Sequence, residues 1–478
     1  MLFTSAIFLY AFLPLTLLLY SVTPKPAKNT LLAVCSLFFY LWGEVAYFWV
    51  FVLSVVANYI FGYCIDRTKT KLAQNITLTI ACGINLSLLG YFKYANFIID
   101  NINSILSAYG VATLPNEPIH LPIGISFVTF HALSYLIDIR IGKSTAQKKP
   151  QDLLLYLALF PQLIAGPIIR YHQIDEQIRH RVFSLDNLYP GIRRFTFGLA
   201  KKIVIANPLG YVADSIFAIP GQDVTTPLAW LGISAYTLQL YFDFSGYSCM
   251  AIGLARMFGF HFPENFNYPY IASSVQEFWR RWHISLSAWF RDYVYIPLGG
   301  NRHGKLRTHA NLIIVFALCG LWHGASWNFL IWGLFHGTFL IVERIKATGH
   351  RVKVWAPIAH VYTLIVIMVG WVFFRANTVP HALAYLKAMA GLGNSHFTGD
   401  NAAFYLTPDT QTAFVLAAML SVPIWPWLEK KAQRAGLEAP AKAACIQFAD
   451  GAWLIALALV CVVLINEDSY SPFIYFRF

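Results

Sequence analysis

One histidine in this chain stands where an imidazole could do acid–base work. His323, in the run CGLWHGASW, lies at the junction of two long apolar stretches. Ionisable side chains are costly inside a bilayer and mark functional sites by default. An imidazole with an ordinary pKa near 6.5 can take a proton from an attacking hydroxyl and return one to a leaving group close to neutral pH. Gly320, Gly324, Ala325 and Ser326 leave room beside the ring, and Trp322 precedes it. The competing reading is a core histidine bonded to a carbonyl.

A second candidate is His283 in RRWHISLSAWFRD, next to Trp282. Arg280, Arg281 and Arg291 beside it suit a phosphate-bearing donor. The plainer alternative makes these residues interface anchors with snorkelling side chains. His336 falls thirteen residues after His323, on a different helix face, so a structural role is expected. Asp243, in LQLYFDFSGYS, lies inside an apolar stretch and needs a partner, an Arg or a hydroxyl such as Ser245. His131, Tyr241 and Tyr247 are able to line a polar cavity, but each also has a packing explanation. Gly246 and Ser248 suit close helix approach. No nucleophile elbow, Walker loop, dinucleotide fingerprint or metal-spaced His/Glu pair occurs. What is left is a positioned histidine acting on an activated acyl group.

The elements that must hold these residues are membrane helices. Hydrophobic residues are 57% of 478 and charged residues 12%, against roughly 25% charged in soluble domains. About twelve apolar stretches approach spanning length: 1–20, 30–43, 46–64, 76–95, 121–139, 196–213, 227–250, 310–322, 325–342, 357–373, 412–427 and 450–466. The net charge of +12 sits in short connectors, not on one basic face, which argues for topology and against nucleic acid. The seven cysteines form no CxxC or metal spacing and read as small buried hydrophobes. The N-terminal run lacks a basic leader region and cleavage site, and reads as a retained first span.

Connectors 21–29, 65–75, 140–150, 256–309, 343–356 and 428–449 carry most of the positive charge, whereas 100–120, 214–226 and 377–411 share one Lys. Placing the basic connectors in the cytoplasm puts every alternate loop on a consistent side, with both termini outside. Two segments break the pattern. The stretch 153–169 is apolar but has basic flanks and contains Pro161, Gly166 and Pro167. It is predicted to be a re-entrant or broken helix, tolerated only where protein or a wet cavity satisfies the freed backbone. The segment 264–309 is too polar to span and rich in aromatics, which predicts elements lying in the cytoplasmic interface or dipping into the membrane. The tail from 466 is too short for a domain and no repeat is evident, so 1–478 reads as one domain, with a core motif region 230–345 and C-terminal helices 357–478.

The run QLYFDFSGYSCMAIGLARMFGFHFPENFNYPYIASSVQEFWRRWHISLSAWFRDYVYIPLGGNR, continuing to GLWHGASWNFLIWGLFHG, resembles the membrane-bound O-acyltransferase family. It looks most like the bacterial branch that O-acetylates alginate and peptidoglycan. The likeness extends to LPIGISFVTFHALSYLIDIR, LFPQLIAGPIIRYHQ and WVFFRA, and covers most of 1–376. It implies an all-α polytopic fold of about 11–12 transmembrane helices plus re-entrant or interfacial helices around a central funnel or tunnel. It places the catalytic role on His323, with His283 at a second motif position that is His or Asn among members. Trp322, Arg280, Arg281, Trp282, Asp243 and Ser326 are the expected donor or tunnel-lining residues. The expected setting is a bacterial inner membrane, with acetyl-CoA as donor substrate arriving near 280–307, no permanently bound cofactor or metal, and a separate periplasmic partner that completes transfer to the polysaccharide. The rival readings are a teichoic acid D-alanyl transferase, a transporter or flippase, and a non-catalytic scaffold.

Overall fold

A computed structural model describes residues 1–348, 355–393, 401–424, 427, 428, 431 and 440–467. The tail from 468, and parts of the connectors 343–356, 377–411 and 428–449, lie outside the described residues. All regular structure among the described residues is helical. The first helix is α1 (Leu13–Val22), preceded by a π-helical turn Phe8–Phe12. It is followed by α2 (Lys28–Gly43), α3 (Phe48–Arg67), α4 (Lys71–Ala108) and α5 (Ile125–Arg140). Short elements α6 (Pro150–Ala158), α7 (Phe160–Leu163) and α8 (Tyr171–His180) lead to α9 (Leu185–Ala200), a π-helical turn Lys201–Ala206, α10 (Asn207–Phe217) and α11 (Thr226–Met257). Then come α12 (Val275–Arg281), α13 (Ile284–Phe290), α14 (Gly304–His323), α15 (Trp327–Thr348), α16 (Ala356–Arg375), α17 (Val379–Lys387), α18 (Pro408–Leu420) and α19 (Pro440–Glu467).

Each predicted apolar stretch overlaps a helix, but the boundaries differ. The expected span 76–95 belongs to the 38-residue α4, about 57 Å long at 1.5 Å per residue, so it must project beyond or tilt within a ~30 Å hydrocarbon layer. Four described helices meet a spanning criterion of length and hydropathy alone: Phe48–Arg67, Lys71–Ala108, Ala356–Arg375 and Asp450–Glu467. Their apolar windows are between 11 and 44% buried, so lipid-facing side chains must be apolar there. The helix α11 fails the criterion for the opposite reason. It is wrapped by protein and can carry Gln239, Asp243, Ser245 and Ser248 in buried positions.

Glycines set how closely α11 packs. A Cβ at Gly253 would sit 2.6 Å from the Gly191 carbonyl, and one at Gly246 would sit 2.8 Å from the Gly198 carbonyl. Two glycine pairs, seven residues apart on each helix, thus lock α9 against α11 backbone to backbone. The α14–α15 hairpin crosses in the same way. A Cβ at Gly320 would lie 2.2 Å from the Phe329 carbonyl, and one at Gly333 would lie 2.1 Å from that of Phe316. This crossing places the C-terminal end of α14 against the first turns of α15.

The stretch 153–169 is a broken helix, as its prolines predict. α6 ends at Leu159 (φ −50°, ψ 110°), one short turn follows, and 164–170 is irregular. Every residue from Leu155 to Ile169 is buried, and protein side chains meet its backbone: Ser36 Oγ accepts from Phe160 N at 3.2 Å, and Ser285 Oγ from Ile168 N at 2.9 Å. As expected, 264–303 forms short helices, α12 and α13, in place of a span. Trp279, Trp282 and Trp289 are at most 8% exposed, so α12 and α13 are packed into the protein and their indoles are not interface anchors. The exposed side carries Gln276, Arg280 and Arg291.

Candidate active site

His323 is the last residue of α14, and Gly324 turns the chain out of the helix in an extended conformation. A Cβ at Gly324 would meet the Phe329 ring at 2.2 Å, so only glycine fits beside that imidazole in this turn. The His323 ring is held by edges and faces of aromatic neighbours, Trp322 at 4.9 Å, Trp332 at 5.1 Å and Phe374 at 5.1 Å between centroids. His323 is 7% exposed, and neither ring nitrogen has a protein hydrogen-bond partner among the described residues. Aromatic walls fix the ring while leaving its nitrogens for something else.

A cavity of about 340 Å³ reaches this ring. Its walls include Lys93, Ser126, Phe127, Ile164, Trp322 and His323, and it runs out to His120, whose side chain is 64% exposed. Gly124 shapes the wall: it caps α5 with φ +75°, and a Cβ there would lie 2.5 Å from the Leu163 carbonyl. Buried Glu44 fixes the rim by accepting from Ile123 N at 3.0 Å and meeting His120 Nε2 at 3.2 Å. The connector at this mouth, 109–124, contains no Lys or Arg. This cavity therefore opens beside a connector free of Lys and Arg, and its lining includes no residue of the basic 280–307 region.

Lys93 is a site residue that the sequence reading passed over. It is 8% exposed, and its ammonium donates to the carbonyls of Trp322 and of His323, the latter at 3.3 Å, and lies 3.5 Å from Ser126 Oγ. A cation on the last carbonyls of a helix is favourable, and here it pins the His323 turn to α4. An ionisable residue inside the apolar stretch 76–95 was the available signal.

His283 sits in a different kind of cage. Its backbone is left-handed, φ 44° and ψ 54°, a conformation in which His and Asn are enriched among non-glycine residues. It is 1% exposed. The hub beside it is Asn265, also missed. Asn265 Oδ1 accepts from Ser285 N at 3.1 Å and from Ser285 Oγ at 2.8 Å, and meets His283 Nδ1 at 3.2 Å. Its Nδ2 donates to Ser248 Oγ on α11 at 3.1 Å. Because a backbone N–H can only donate, the atom facing Ser285 is the amide oxygen. His283 Nδ1 therefore carries the proton, and Nε2 is the basic nitrogen. Trp322 lies between the two histidines, 6.3 Å from the His283 ring and 4.9 Å from that of His323.

The remaining candidates scatter. Asp243 pairs with Lys202 at 2.7 Å, so its partner is a lysine from the π-helical turn and not an Arg or Ser245. Arg281 is engaged by Glu277 at 2.8 Å, and the Ser273 N–H together with Arg281 holds that carboxyl below the usual range. Arg291 bonds Asp292 at 2.7 Å. Arg280 is exposed. Trp282 packs in the aromatic cluster of Phe266, Phe278 and Trp371, and Ser326 is half-buried at the entry to α15. Tyr247 stacks on Phe3 at 4.6 Å, and Tyr241 contacts Phe242, Phe266 and Tyr270. His131 and His336 are fully buried and border no part of the His323 cavity. His336 is boxed by Trp279, Trp332 and Phe335, in keeping with a structural role. Among the described residues no cluster suited to a metal ion occurs.

A polytopic helical bundle with a buried imidazole at the end of a cavity defines a class of membrane enzyme. The profile of the membrane-bound O-acyltransferase family matches residues 127–375, and the chain belongs to that family. It is 42% identical to a probable alginate O-acetylase of Azotobacter vinelandii over the full length of both chains. It is 38% identical to the peptidoglycan O-acetyltransferase of Helicobacter pylori, over 82% of this chain and 80% of that one. A teichoic acid D-alanyltransferase of Bacillus subtilis is 31% identical over 54% of this chain and 69% of its own. The chain is thus a membrane O-acyltransferase, and its full-length likeness is to O-acetylating enzymes.

Proposed function

We propose that this protein is an O-acetyltransferase serving the acetylation of an extracytoplasmic polysaccharide, with His323 as the catalytic base. The observation that carries the reading is the cavity that ends on His323, whose ring is fixed by aromatics and unbonded at both nitrogens. The acceptor hydroxyl enters from the 109–124 face, which is extracytoplasmic by the charge of the connectors. His323 takes the hydroxyl proton as the oxygen attacks the carbonyl carbon of an acetyl thioester. The C–S bond then breaks, and the proton passes to the departing sulfur.

The donor, acetyl-CoA, approaches from the basic face, so the thioester has to pass the Trp322 indole that stands between His283 and His323. An acyl-histidine variant of the same chemistry uses the same atoms. Alginate is the favoured polymer, because the alginate O-acetylase relative matches over the whole of both chains. A separate protein outside the membrane completes the transfer onto the polymer. The deciding experiment gives purified protein labelled acetyl-CoA and, in parallel, a D-alanyl carrier-protein thioester. Turnover of acetyl-CoA by the native protein and its loss in His323→Ala supports the reading. Turnover of the carrier thioester alone moves the protein to the D-alanyl class, and full activity of His323→Ala removes the assigned base.

A further inference from the structure

We infer that a second pocket, on the basic face and separate from the His323 cavity, is a binding site for a phosphate-bearing anionic ligand. This pocket, about 570 Å³, forms where the connector between α1 and α2, the start of α6 and the end of α8 converge. That volume lies within the range of small-molecule sites. Its lining contains six cations, Lys25, Lys28, Lys148, Lys149, Arg179 and Arg181, with Asp152 the one carboxylate among its lining residues. Asp152 accepts from Asn29 Nδ2 at 2.7 Å, and Arg179 pairs with Asp175 at 2.8 Å. The others meet no carboxylate in the lining.

The back wall is built, not a loose patch of surface lysines. Buried Tyr20 donates its hydroxyl to the Phe258 carbonyl at 3.0 Å and accepts from Arg181 Nε at 3.0 Å. The Arg181 guanidinium also lies 4.2 Å over the Phe260 ring, and its Nη2 is shielded from solvent without a protein acceptor. Lys28 Nζ sits 4.4 Å over the same Tyr20 ring and 4.7 Å over Phe183. Two cations therefore meet one tyrosine, Lys28 over its ring and Arg181 at its hydroxyl, and among the described residues no carboxylate is hydrogen-bonded to either. Basic connectors explain why cations lie on this side of the membrane, but not why two are gathered on one tyrosine with a guanidinium donor left over. Like charges drawn together in this way are stabilised by an anion that bridges them, and a phosphate meets both the Arg fork and a Lys point charge. The ligand is a phosphorylated soluble molecule or the headgroup of an anionic lipid.

The test measures binding of inorganic pyrophosphate by calorimetry, and retention of phosphatidylglycerol over phosphatidylcholine by native mass spectrometry, on the full chain in neutral detergent. The native protein is expected to bind one of the two, and Lys28→Gln/Arg181→Gln to lose about tenfold or more in affinity or retention, since each charge-assisted bond contributes about 1.5–3 kcal/mol. Pyrophosphate binding identifies a soluble ligand, and selective lipid retention a headgroup. His323→Ala should bind like the native protein, which separates this site from the acyl-transfer reading. If Lys28→Gln/Arg181→Gln does not fold, Lys148→Gln/Lys149→Gln, at exposed positions, takes its place. Equal binding by native protein and variant, or no binding of either probe, overturns the proposal.

Discussion

The turns that carry His323 and His283 are both buried and both rimmed by tryptophan, yet they are built on opposite plans. Around His323 the polar contacts go to the backbone: Lys93 takes the carbonyls of Trp322 and His323, and the imidazole is held by apolar rings beside a cavity. Around His283 the side chain itself is bound to Asn265, and the backbone is left-handed. A catalytic base needs free nitrogens in a fixed place. A residue that orders a motif needs its own hydrogen bonds satisfied. The contrast favours the proposed role of His323 in proton transfer and suits His283 to positioning the α12–α13 segment and Trp322.

The largest effect that tests this division is at His323. His323→Ala should lower acetyl transfer by about 10²–10⁴-fold, the usual yield of general acid–base catalysis, with thermal stability close to native. Both are read from purified protein, by labelled acetyl turnover and by a melting curve. A loss of folding in step with activity would make the ring structural and dissolve the contrast.

Next comes the hub of the second region. Asn265→Leu leaves Ser285 N, Ser248 and His283 Nδ1 without their shared partner, which costs about 1–3 kcal/mol for each buried group left unsatisfied. The melting temperature should fall before any change in the KM for acetyl-CoA. His283 itself gives the finer measurement. His283→Ala loses the bond to Asn265 and places alanine at φ 44°, a conformation in which His and Asn are enriched. Asn tolerates that conformation and offers an amide to Asn265, so His283→Asn should recover most of the kcat that His283→Ala loses. If His283→Asn is as inactive as His323→Ala, His283 transfers a proton and the two regions share the chemistry.

These contrasts also mark what the sequence could and could not reveal. The burial of His323 beside a cavity was legible because an imidazole between two apolar stretches is costly unless it is given a special setting. Lys93 obeys the same rule but sits inside one continuous stretch, where it passes as an interruption of a span. Asn265 is neutral and lies in a polar connector, so no periodicity or charge exposes it; only the chain closure that brings 265 beside 283 and 285 does. The broken helix at 153–169 was readable from its prolines and basic flanks. The indoles of 264–309 were ambiguous because aromatic-rich composition is common to membrane interfaces and protein interiors. Which of the two applies is decided by what surrounds the indoles, and that is tertiary. The direction of the cavity was likewise hidden, since it depends on Gly124 fitting under the Leu163 carbonyl.

The smallest expected effect on chemistry lies away from both histidines, in the seam between α9 and α11. Gly253→Ala puts a methyl 2.6 Å from both the Gly191 carbonyl and Phe195 N, backbone atoms that cannot rotate aside. Overpacking of this kind costs about 1–3 kcal/mol, which a melting curve in detergent should show. The turnover of the protein that remains folded should stay within about twofold of native, because α14 and α15 are positioned by their own crossing at Gly320 and Gly333. A sharp loss of turnover with unchanged melting would mean that the seam and the His323 turn move together. The cavity wall would then depend on α11 and not on the α14–α15 hairpin alone.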